Sequence, residues 1–275
     1  MARRHFDPTP RARQMQGVDF GQTASDYARY RAGFPDSFFT KLENLGVPVR
    51  GARAVDLGTG TGAVARELAV RGASTVVGVD PAEAITREAQ VLDKAAGVHV
   101  KYVNSTAEST GLPSSAFDLV IAGQCWWWFE SASAVREASR ILIPGGHLVI
   151  ASLDWLPPPG SIPAATERLI RKANPRWTLY GGNGRHPGWI EEVRQGGFSE
   201  VRTFEYDLQI PYTPVAWRGR IRASAGIGAT LAPDEVEGFD RAHARLLAEQ
   251  FPGDPLNVPH RVYAVVALLP HEGEC

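Results

Sequence analysis

Three glycines at alternate positions, Gly58, Gly60 and Gly62, follow a short apolar run and precede the segment Ala63–Leu68. Glycine allows backbone conformations that a Cβ would forbid, so a turn built in this way can press its N–H groups against a ligand. The following segment has a helical pattern, and the N-terminus of a helix favours a carboxylate or a phosphate. The pattern therefore predicts a buried strand, a ligand-binding turn and a helix.

An acidic residue, Asp56, stands two positions before the first of these glycines. At the end of a strand its carboxylate can face a positively charged group of a ligand. Dinucleotides have no ammonium group, whereas S-adenosylmethionine (SAM) has one, so Asp56 favours SAM. The glycine spacing alone also fits the dinucleotide pattern G-x-G-x-x-[GA], with Ala63 at the last position. A NAD(P)-dependent oxidoreductase therefore stays open as an alternative.

A second acid, Asp80, ends the β-branched run 74–79, about one strand-helix-strand unit after the glycine turn. At this spacing a carboxylate meets the ribose hydroxyls of a nucleotide-like ligand. Pro81 suits the first position of a helix, so Asp80 could also be a helix N-cap. Both roles are compatible with the sequence.

Four consecutive large aromatic residues, 126–129, follow the apolar strand predicted at 117–124. Ligands of open parallel sheets lie at the carboxyl ends of the strands, so we expect some of these rings to form a wall of the site. A sulfonium beside aromatic faces gains a cation–π attraction of order 0.5 to 2 kcal/mol. The predicted substrate pocket consists of Trp126, Trp127, Trp155 and Tyr180.

Five features follow one another along the chain: the D-x-G-x-G-x-G sequence at 56–62, Asp80, Ala107-Glu108 before Gly-Leu-Pro, the aromatic run after Gln124, and the turn at 144–146. Together they resemble the class I SAM-dependent methyltransferases of the small-molecule type that includes trans-aconitate methyltransferase (methyltransferase domain 11). Specific motifs cover residues 20–155. The sequence departs from many members at Thr106, where they have an aspartate, and at Trp127, where they have a histidine.

The resemblance extends to Tyr27, Tyr30 and Arg31, which match a Y-x-x-Y-R segment that lies over the cofactor as a lid in this family. The alternative is an aromatic helix face that packs on the sheet. The cofactor-binding residues that the resemblance implies are Tyr27, Tyr30, Arg31, Asp56, Gly58, Thr59, Gly60, Asp80, Pro81, Ile85, Ala107, Glu108 and Gln124.

The resemblance also implies the fold class, α/β and Rossmann-like, with a mostly parallel seven-stranded sheet in the order 3-2-1-4-5-7-6. Helices are expected on both faces, with a helical lid. We expect a flexible N-terminus at 1–19 and a single methyltransferase domain at 20–275. Within that domain we expect an N-terminal lid helix at 20–45 and cap insertions at 156–190 and 211–255.

The composition favours a small-molecule partner. The 29 basic and 30 acidic residues leave a net charge of −1, which offers no electrostatic footprint for nucleic acid or an anionic membrane. Two cysteines form no disulfide framework or metal set, and no apolar run approaches the ~20 residues that span a bilayer. We expect a cytoplasmic protein, a monomer or homodimer, that requires no metal.

The expected reaction is methyl transfer from SAM to a small molecule, with S-adenosylhomocysteine as the product. The pathway stays open, with specialised metabolism as one candidate. O-methylation of a carboxylate or hydroxyl is favoured, and C- or N-methylation stays open. The methyl donor is already activated, so a protein base is optional. His186, Asp154 and His260 are candidate bases that no motif supports. A non-catalytic SAM-binding protein is the second alternative.

Overall fold

The computed structural model describes residues 33–271 together with Asp26, Arg29 and Tyr30. A seven-stranded sheet in the order β3-β2-β1-β4-β5-β7-β6 organises this part of the chain and confirms the predicted order. The strands are β1 Arg53–Leu57, β2 Thr75–Val79, β3 Lys101–Val103, β4 Phe117–Gly123, β5 Leu142–Trp155, β6 Ser199–Tyr212 and β7 Leu256–Leu268. Strands β1 to β5 pair in parallel, and β7 runs antiparallel to both β5 and β6.

Helices cover both faces of the sheet and one of its edges. They are α1 Asp36–Asn44, α2 Ala63–Val70, α3 Glu83–Ala96, α4 Ser131–Ile141, α5 Ile162–Ala173, α6 Gly188–Gln195, α7 Pro214–Arg222 and α8 Pro233–Gln250. A short 3₁₀ helix, Trp126–Trp128, follows β4. None of the helices in the described ranges combines the length and the apolar character that crossing a membrane requires.

Two apolar cores lie on opposite faces of the sheet because alternate residues of a strand point to opposite sides. In β4, Val120 and Ala122 belong to the core that α4 and α6 cover. Their neighbours Leu119 and Ile121 belong to the core that α1 and α2 cover. Strands that are apolar on both sides are typical of a parallel sheet covered on both faces.

A third core lies at the edge where the parallel strands end. It joins α5, α7 and α8 to the end of β6 and the start of β7, around Trp217, Ile170 and Val258. These helices lie within the predicted cap insertions, 156–190 and 211–255. They therefore form a cap with its own apolar interior over the ligand-binding edge of the sheet. The predicted N-terminus, 1–19, and most of the predicted lid helix before residue 33 lie outside the described residues.

Candidate functional site

A cleft of about 860 Å³ opens at the edge of the sheet where the parallel strands end. Open parallel sheets bind ligands at this edge, and the volume is typical of a small-molecule site. The loops after β1, β2 and β3 bound one half of the cleft, which we call the loop half. Helices α5 and α7 and the loop before α6 bound the other, which we call the cap half. The 3₁₀ helix and the end of β5 lie where the two halves meet.

The glycine turn after β1 brings backbone into the loop half, where Gly58 and Gly60 line the cleft. Gly58 has a φ of 63°, and a Cβ on it would lie 2.8 Å from Sγ of Cys125. Gly62, at the start of α2, has a φ of 73°, and a Cβ on it would lie 2.2 Å from Oη of Tyr102. The backbone conformation and the close packing both require glycine here.

Asp56 lies beneath this turn and is 1% exposed. Its Oδ2 accepts hydrogen bonds from Oγ1 of Thr59 at 2.6 Å and from the backbone N–H of Ala65 at 3.1 Å. The first N–H groups of a helix have no partner within the helix, and α2 directs one of them at this carboxylate. Asp56 and Thr59 line a smaller pocket of about 290 Å³ instead of the main cleft. This pocket shares Gly58 and Gln124 with the main cleft, so the expectation that Asp56 faces a charged group of a ligand stays a prediction.

Burial raises the pKa of Asp56 to about 7, against the opposing effect of its two hydrogen bonds. Between its ordinary pKa and pH 7 the folded protein binds a proton that the unfolded chain has lost, so the free energy of unfolding falls as pH rises through this range. We expect Asp56→Asn to remove this loss. In denaturant titrations from pH 5 to pH 8, the free energy of unfolding of wild type should fall by about 3 kcal/mol relative to that of the variant. Parallel stability curves for the two proteins would contradict the assignment.

Asp80 follows β2 and lines the loop half of the cleft. Its Oδ2 accepts the N–H of Gly60 at 3.0 Å, and its Oδ1 accepts the N–H of Ala82 at 2.9 Å. Burial raises the pKa of this carboxyl group. Helix α3 begins at Glu83 with Ala82 as its N-cap, so the alternative that Asp80 caps a helix starting at Pro81 is wrong. Asp80 instead fixes the glycine turn and presents a carboxylate to the cleft.

Most of the other residues expected to bind the cofactor also meet in the cleft. The cleft-lining members of that set are Gly58, Gly60, Asp80, Pro81, Ile85, Ala107, Glu108 and Gln124. Oε1 of Glu108 accepts the N–H of Glu130 at 2.9 Å, which ties the loop after β3 to the start of α4. The side-chain amide of Gln124 donates to the carbonyl of Leu153.

The predicted N-terminal lid residues are described only in part. Tyr27 and Arg31 lie outside the described residues. Tyr30 packs against α7, where a Cβ on Gly219 would lie 2.1 Å from its ring. Asp26 pairs with Arg222 of the same helix, with 2.7 Å between Oδ2 and Nε. Tyr30 therefore contacts the cap and is absent from the residues that line the cleft.

The aromatic run after β4 divides between the core and the cleft. Trp127, Trp128 and Phe129 line the cleft, as we expect of ring walls. Trp126 is 2% exposed within the core under α4 and α6, and its Nε1 donates to Oε2 of Glu192 at 2.6 Å. The expectation that Trp126 lines the substrate pocket is therefore wrong. In a 3₁₀ helix successive side chains point about a third of a turn apart, so the first indole is directed away from its neighbours.

Two of the candidate bases form a pair in the cleft. Nε2 of His186 lies 2.8 Å from Oδ2 of Asp154, near the end of β5. The imidazole stacks on the indole of Trp189, with ring centroids 4.2 Å apart, and lies 5.8 Å from the ring of Trp127. His186 thus has both a carboxylate partner and a fixed ring plane. Such an arrangement orients an imidazole for proton transfer.

The third candidate base, His260, lies in the cap core between Tyr212 and Trp217 and is 2% exposed. Its Nδ1 lies 2.9 Å from the carbonyl oxygen of Val258, and burial lowers its pKa to about 4. His260 does not line the cleft. Its candidacy as a base is wrong, because β7 places the imidazole on the apolar side of the cap.

The cap half of the cleft contains charged residues that the sequence analysis missed. Glu167 of α5 and Arg220 of α7 are 7% and 9% exposed, and both line the cleft. Glu167 accepts the indole N–H of Trp155 at 2.8 Å and the backbone N–H of Gly181 at 2.9 Å. The sequence contained one signal for such residues, namely the spacing of Arg220, a charged residue three positions after the large apolar residue Trp217. Trp155 and Tyr180 also line this half, as predicted.

Metal ligands do not gather in the described part of the chain, where no group of three or more His, Cys, Asp or Glu side chains could hold an ion.

The model of the methyltransferase domain family matches residues 55–150, from β1 to the middle of β5. Residues 55–150 therefore carry a methyltransferase domain, and the strand order is the one expected for the class I SAM-dependent methyltransferases. It is 34% identical over 137 residues to an uncharacterised methyltransferase of Mycobacterium tuberculosis, covering 50% of this chain and 53% of that protein. It is 37% identical over 108 residues to a ubiquinone biosynthesis O-methyltransferase of Methylobacterium, covering 39% and 43%. The chain thus spans about half the length of the relatives it matches.

Solved structures share the fold of this chain over most of its length. The [4+2]-cyclase SpnF covers 97% of this chain and 99% of its own at 19% identity, with a TM-score of 0.58. A phosphoethanolamine N-methyltransferase of Haemonchus contortus, solved with phosphomonomethylethanolamine and S-adenosylhomocysteine, covers 96% of this chain and 61% of its own at 18% identity, with a TM-score of 0.57. Such identities show a common architecture and leave the substrate open.

Proposed function

We propose that this protein is a methyltransferase that binds SAM in the loop half of the cleft and transfers its methyl group to a hydroxyl oxygen of a small molecule held in the cap half. The observation that carries the choice of a hydroxyl is the His186–Asp154 pair, which lies where the two halves meet. A carboxylate acceptor is already ionised at neutral pH and would need no such pair. A hydroxyl acceptor loses its proton during the transfer, so it benefits from a base.

The loop half fits an adenosine-containing ligand in three respects. The turn at Gly58 and Gly60 brings glycine backbone, which carries no side chain of its own, to the wall of the cleft. The carboxylate of Asp80 can accept the hydrogen bonds of two adjacent ribose hydroxyls. Apolar surface from Ile85 and Ala107 suits the faces of an adenine ring. Together these residues match the set expected to hold SAM.

Bound SAM supplies a methyl group on a sulfonium, which needs no further activation. The protein contributes position, a water-poor aromatic wall and a proton acceptor. Because Nε2 of His186 faces the Asp154 carboxylate, the proton of the neutral imidazole resides on Nε2 and Nδ1 keeps its lone pair. Nδ1 accepts the hydroxyl proton as the acceptor oxygen forms its bond to the methyl carbon. The products are the methyl ether, S-adenosylhomocysteine and a proton that His186 returns to solvent.

Two alternatives have their own discriminating observations. An oxidoreductase would bind NAD(P), which the match of residues 55–150 to the methyltransferase domain family argues against. A protein that binds SAM without methyl transfer is compatible with the fold, because SpnF, with the same architecture, is named a [4+2]-cyclase. Only the appearance of a methylated product separates that alternative from the proposal.

Titration calorimetry tests cofactor choice directly. We expect S-adenosylhomocysteine to bind with micromolar affinity and NAD(H) to give no heat, because the cleft offers a carboxylate for one ribose and aromatic rings where a sulfonium would lie. Incubation with methyl-labelled SAM and a set of phenols and hydroxy acids should then yield labelled ethers. Micromolar binding of NAD(H), together with no response to S-adenosylhomocysteine, would contradict the proposal.

A further inference from the structure

The cap half of the cleft presents one guanidinium from α7. Arg220 lines the cleft at 9% exposure, and its Cζ lies 5.1 Å from the centroid of the Trp155 ring. The two flanking arginines of the helix, Arg218 and Arg222, pair with Asp240 of α8 and do not line the cleft. Arg220 is thus the arginine of this helix that faces the cleft. A guanidinium has five N–H donors in a planar fork, more than one protein partner can satisfy.

A hydroxyl lies one helical turn beyond this guanidinium. Ser224 lines the cleft at 8% exposure, and its Oγ has no hydrogen-bond partner among the described residues. Its backbone N–H donates to the carbonyl of Ile221, so the turn continues past the end of α7. Residues four positions apart lie on one side of such a turn. A buried polar atom that lacks a partner costs free energy, and a ligand acceptor would satisfy it.

Two other charged residues that line the cap half, Glu167 and Arg185, have partners within the protein. Glu167 accepts hydrogen bonds from Trp155 and Gly181 through its two oxygens, so it fixes the Trp155 ring. Arg185 pairs with Glu205, with 2.7 Å between Nε and Oε2. Arg220 places a further guanidinium on the wall of this half, one helical turn before the buried hydroxyl of Ser224.

Flat rings form the walls around these donors. Trp155, Trp177 and Tyr180 line the cap half, and the rings of Trp177 and Tyr180 lie 6.1 Å apart. Aromatic walls with fixed planes favour a planar apolar body, which gains both buried area and ring contacts. The aromatic walls thus favour a planar ligand, and the donors of Arg220 and Ser224 favour a ligand with a negative charge.

We infer that the acceptor is an aromatic hydroxy acid, with its ring between these aromatic walls, its carboxylate on Arg220 and Ser224, and its hydroxyl at His186. The inference rests on the proposed function and adds a substrate class to it. The carboxylate orients the acceptor and is not itself methylated. Arg220 is therefore a specificity residue for the acceptor and takes no part in proton transfer.

Equilibrium binding to the complex with S-adenosylhomocysteine tests this assignment without requiring turnover. The probes are 3- and 4-hydroxybenzoate and 4-hydroxycinnamate, each compared with its neutral amide. We expect wild type to bind at least one acid about tenfold or more tightly than its amide. Arg220→Gln should abolish this preference without changing the affinity for S-adenosylhomocysteine, Arg220→Lys should retain part of it, and Ser224→Ala should reduce it.

Arg176→Gln is the matched control, because it removes one positive charge from an exposed position beside Trp177. It should leave the preference for acids intact. The inference is overturned if wild type binds no acid more tightly than its amide, or if folded Arg220→Gln and Arg220→Lys both keep the full preference. If wild type still binds S-adenosylhomocysteine in that case, the proposed function is unaffected. If wild type does not bind S-adenosylhomocysteine, the proposed function itself is contradicted.

Discussion

Asp80→Ala is expected to weaken the binding of S-adenosylhomocysteine by about 1.5 to 3 kcal/mol, or roughly 10- to 150-fold in Kd. The carboxylate lies in the loop half of the cleft, where the proposed ribose hydroxyls would donate to it. It also accepts the N–H of Gly60, so its removal releases the glycine turn from its observed conformation. Both effects reduce the same binding equilibrium, which calorimetry measures.

The folded state should survive this substitution. Burial raises the pKa of Asp80, which means that the folded protein holds this carboxylate at a cost, and its removal relieves that cost. Glu88→Ala, at an exposed position of α3, is the matched control and should change neither affinity nor Tm. If Asp80→Ala instead lowers Tm sharply while the folded fraction binds S-adenosylhomocysteine normally, Asp80 has only a structural role.

The fold could be predicted from the sequence because the local patterns of strands and helices agree with the strand order that the family resemblance implies. The strand, glycine turn and helix at 53–70 follow from short-range patterns, and the strand order follows from the resemblance. Loops that follow parallel strands all begin at the carboxyl ends of those strands. The turn residues and Asp80 therefore lie at the same edge of the sheet as the cleft. Positions tied to a strand end are therefore the ones that sequence reasoning places well.

Side-chain direction was the information that the sequence lacked. Trp126 and Trp127 are neighbours of the same type, yet a 3₁₀ turn places one in the core and the other in the cleft. The carboxylate of Asp56 accepts an N–H group of α2, a partner that the sequence analysis did not anticipate. His260 has the chemistry of a base and lies on the apolar side of a strand. Each outcome depends on packing that no local pattern encodes.

The features of the site that the sequence analysis missed depend on contacts between distant parts of the chain. Asp154 and His186 are far apart in the chain, and their pairing depends on how the loop before α6 returns to the end of β5. Arg220 and Glu167 come from two cap helices whose position over the sheet follows from the third core. The cap insertions carry no motif of the family, so their contribution to the cleft could only be read from the structure.

His186→Gln is expected to lower kcat for a hydroxyl acceptor by about 10²- to 10⁴-fold, the range of general-base contributions. Glutamine can keep a hydrogen bond to Asp154 but has no basic nitrogen. The Kd of S-adenosylhomocysteine should stay within a factor of about three, because His186 contacts the acceptor side of the cleft. Steady-state rates with the acceptor found in the labelling screen, combined with calorimetry, measure both quantities.

The pH dependence of the residual rate separates a base from a packing residue. If His186 removes the acceptor proton, the His186→Gln rate should rise with pH toward the pKa of the acceptor hydroxyl, because the ionised acceptor needs no base. Asp154→Asn should give a smaller loss, since it removes the group that orients the imidazole and leaves the imidazole itself. Trp189→Leu removes the stacking partner and serves as the packing control. A His186→Gln variant with a lowered Tm, an unchanged kcat and a flat pH profile would show that the imidazole only packs against Trp189.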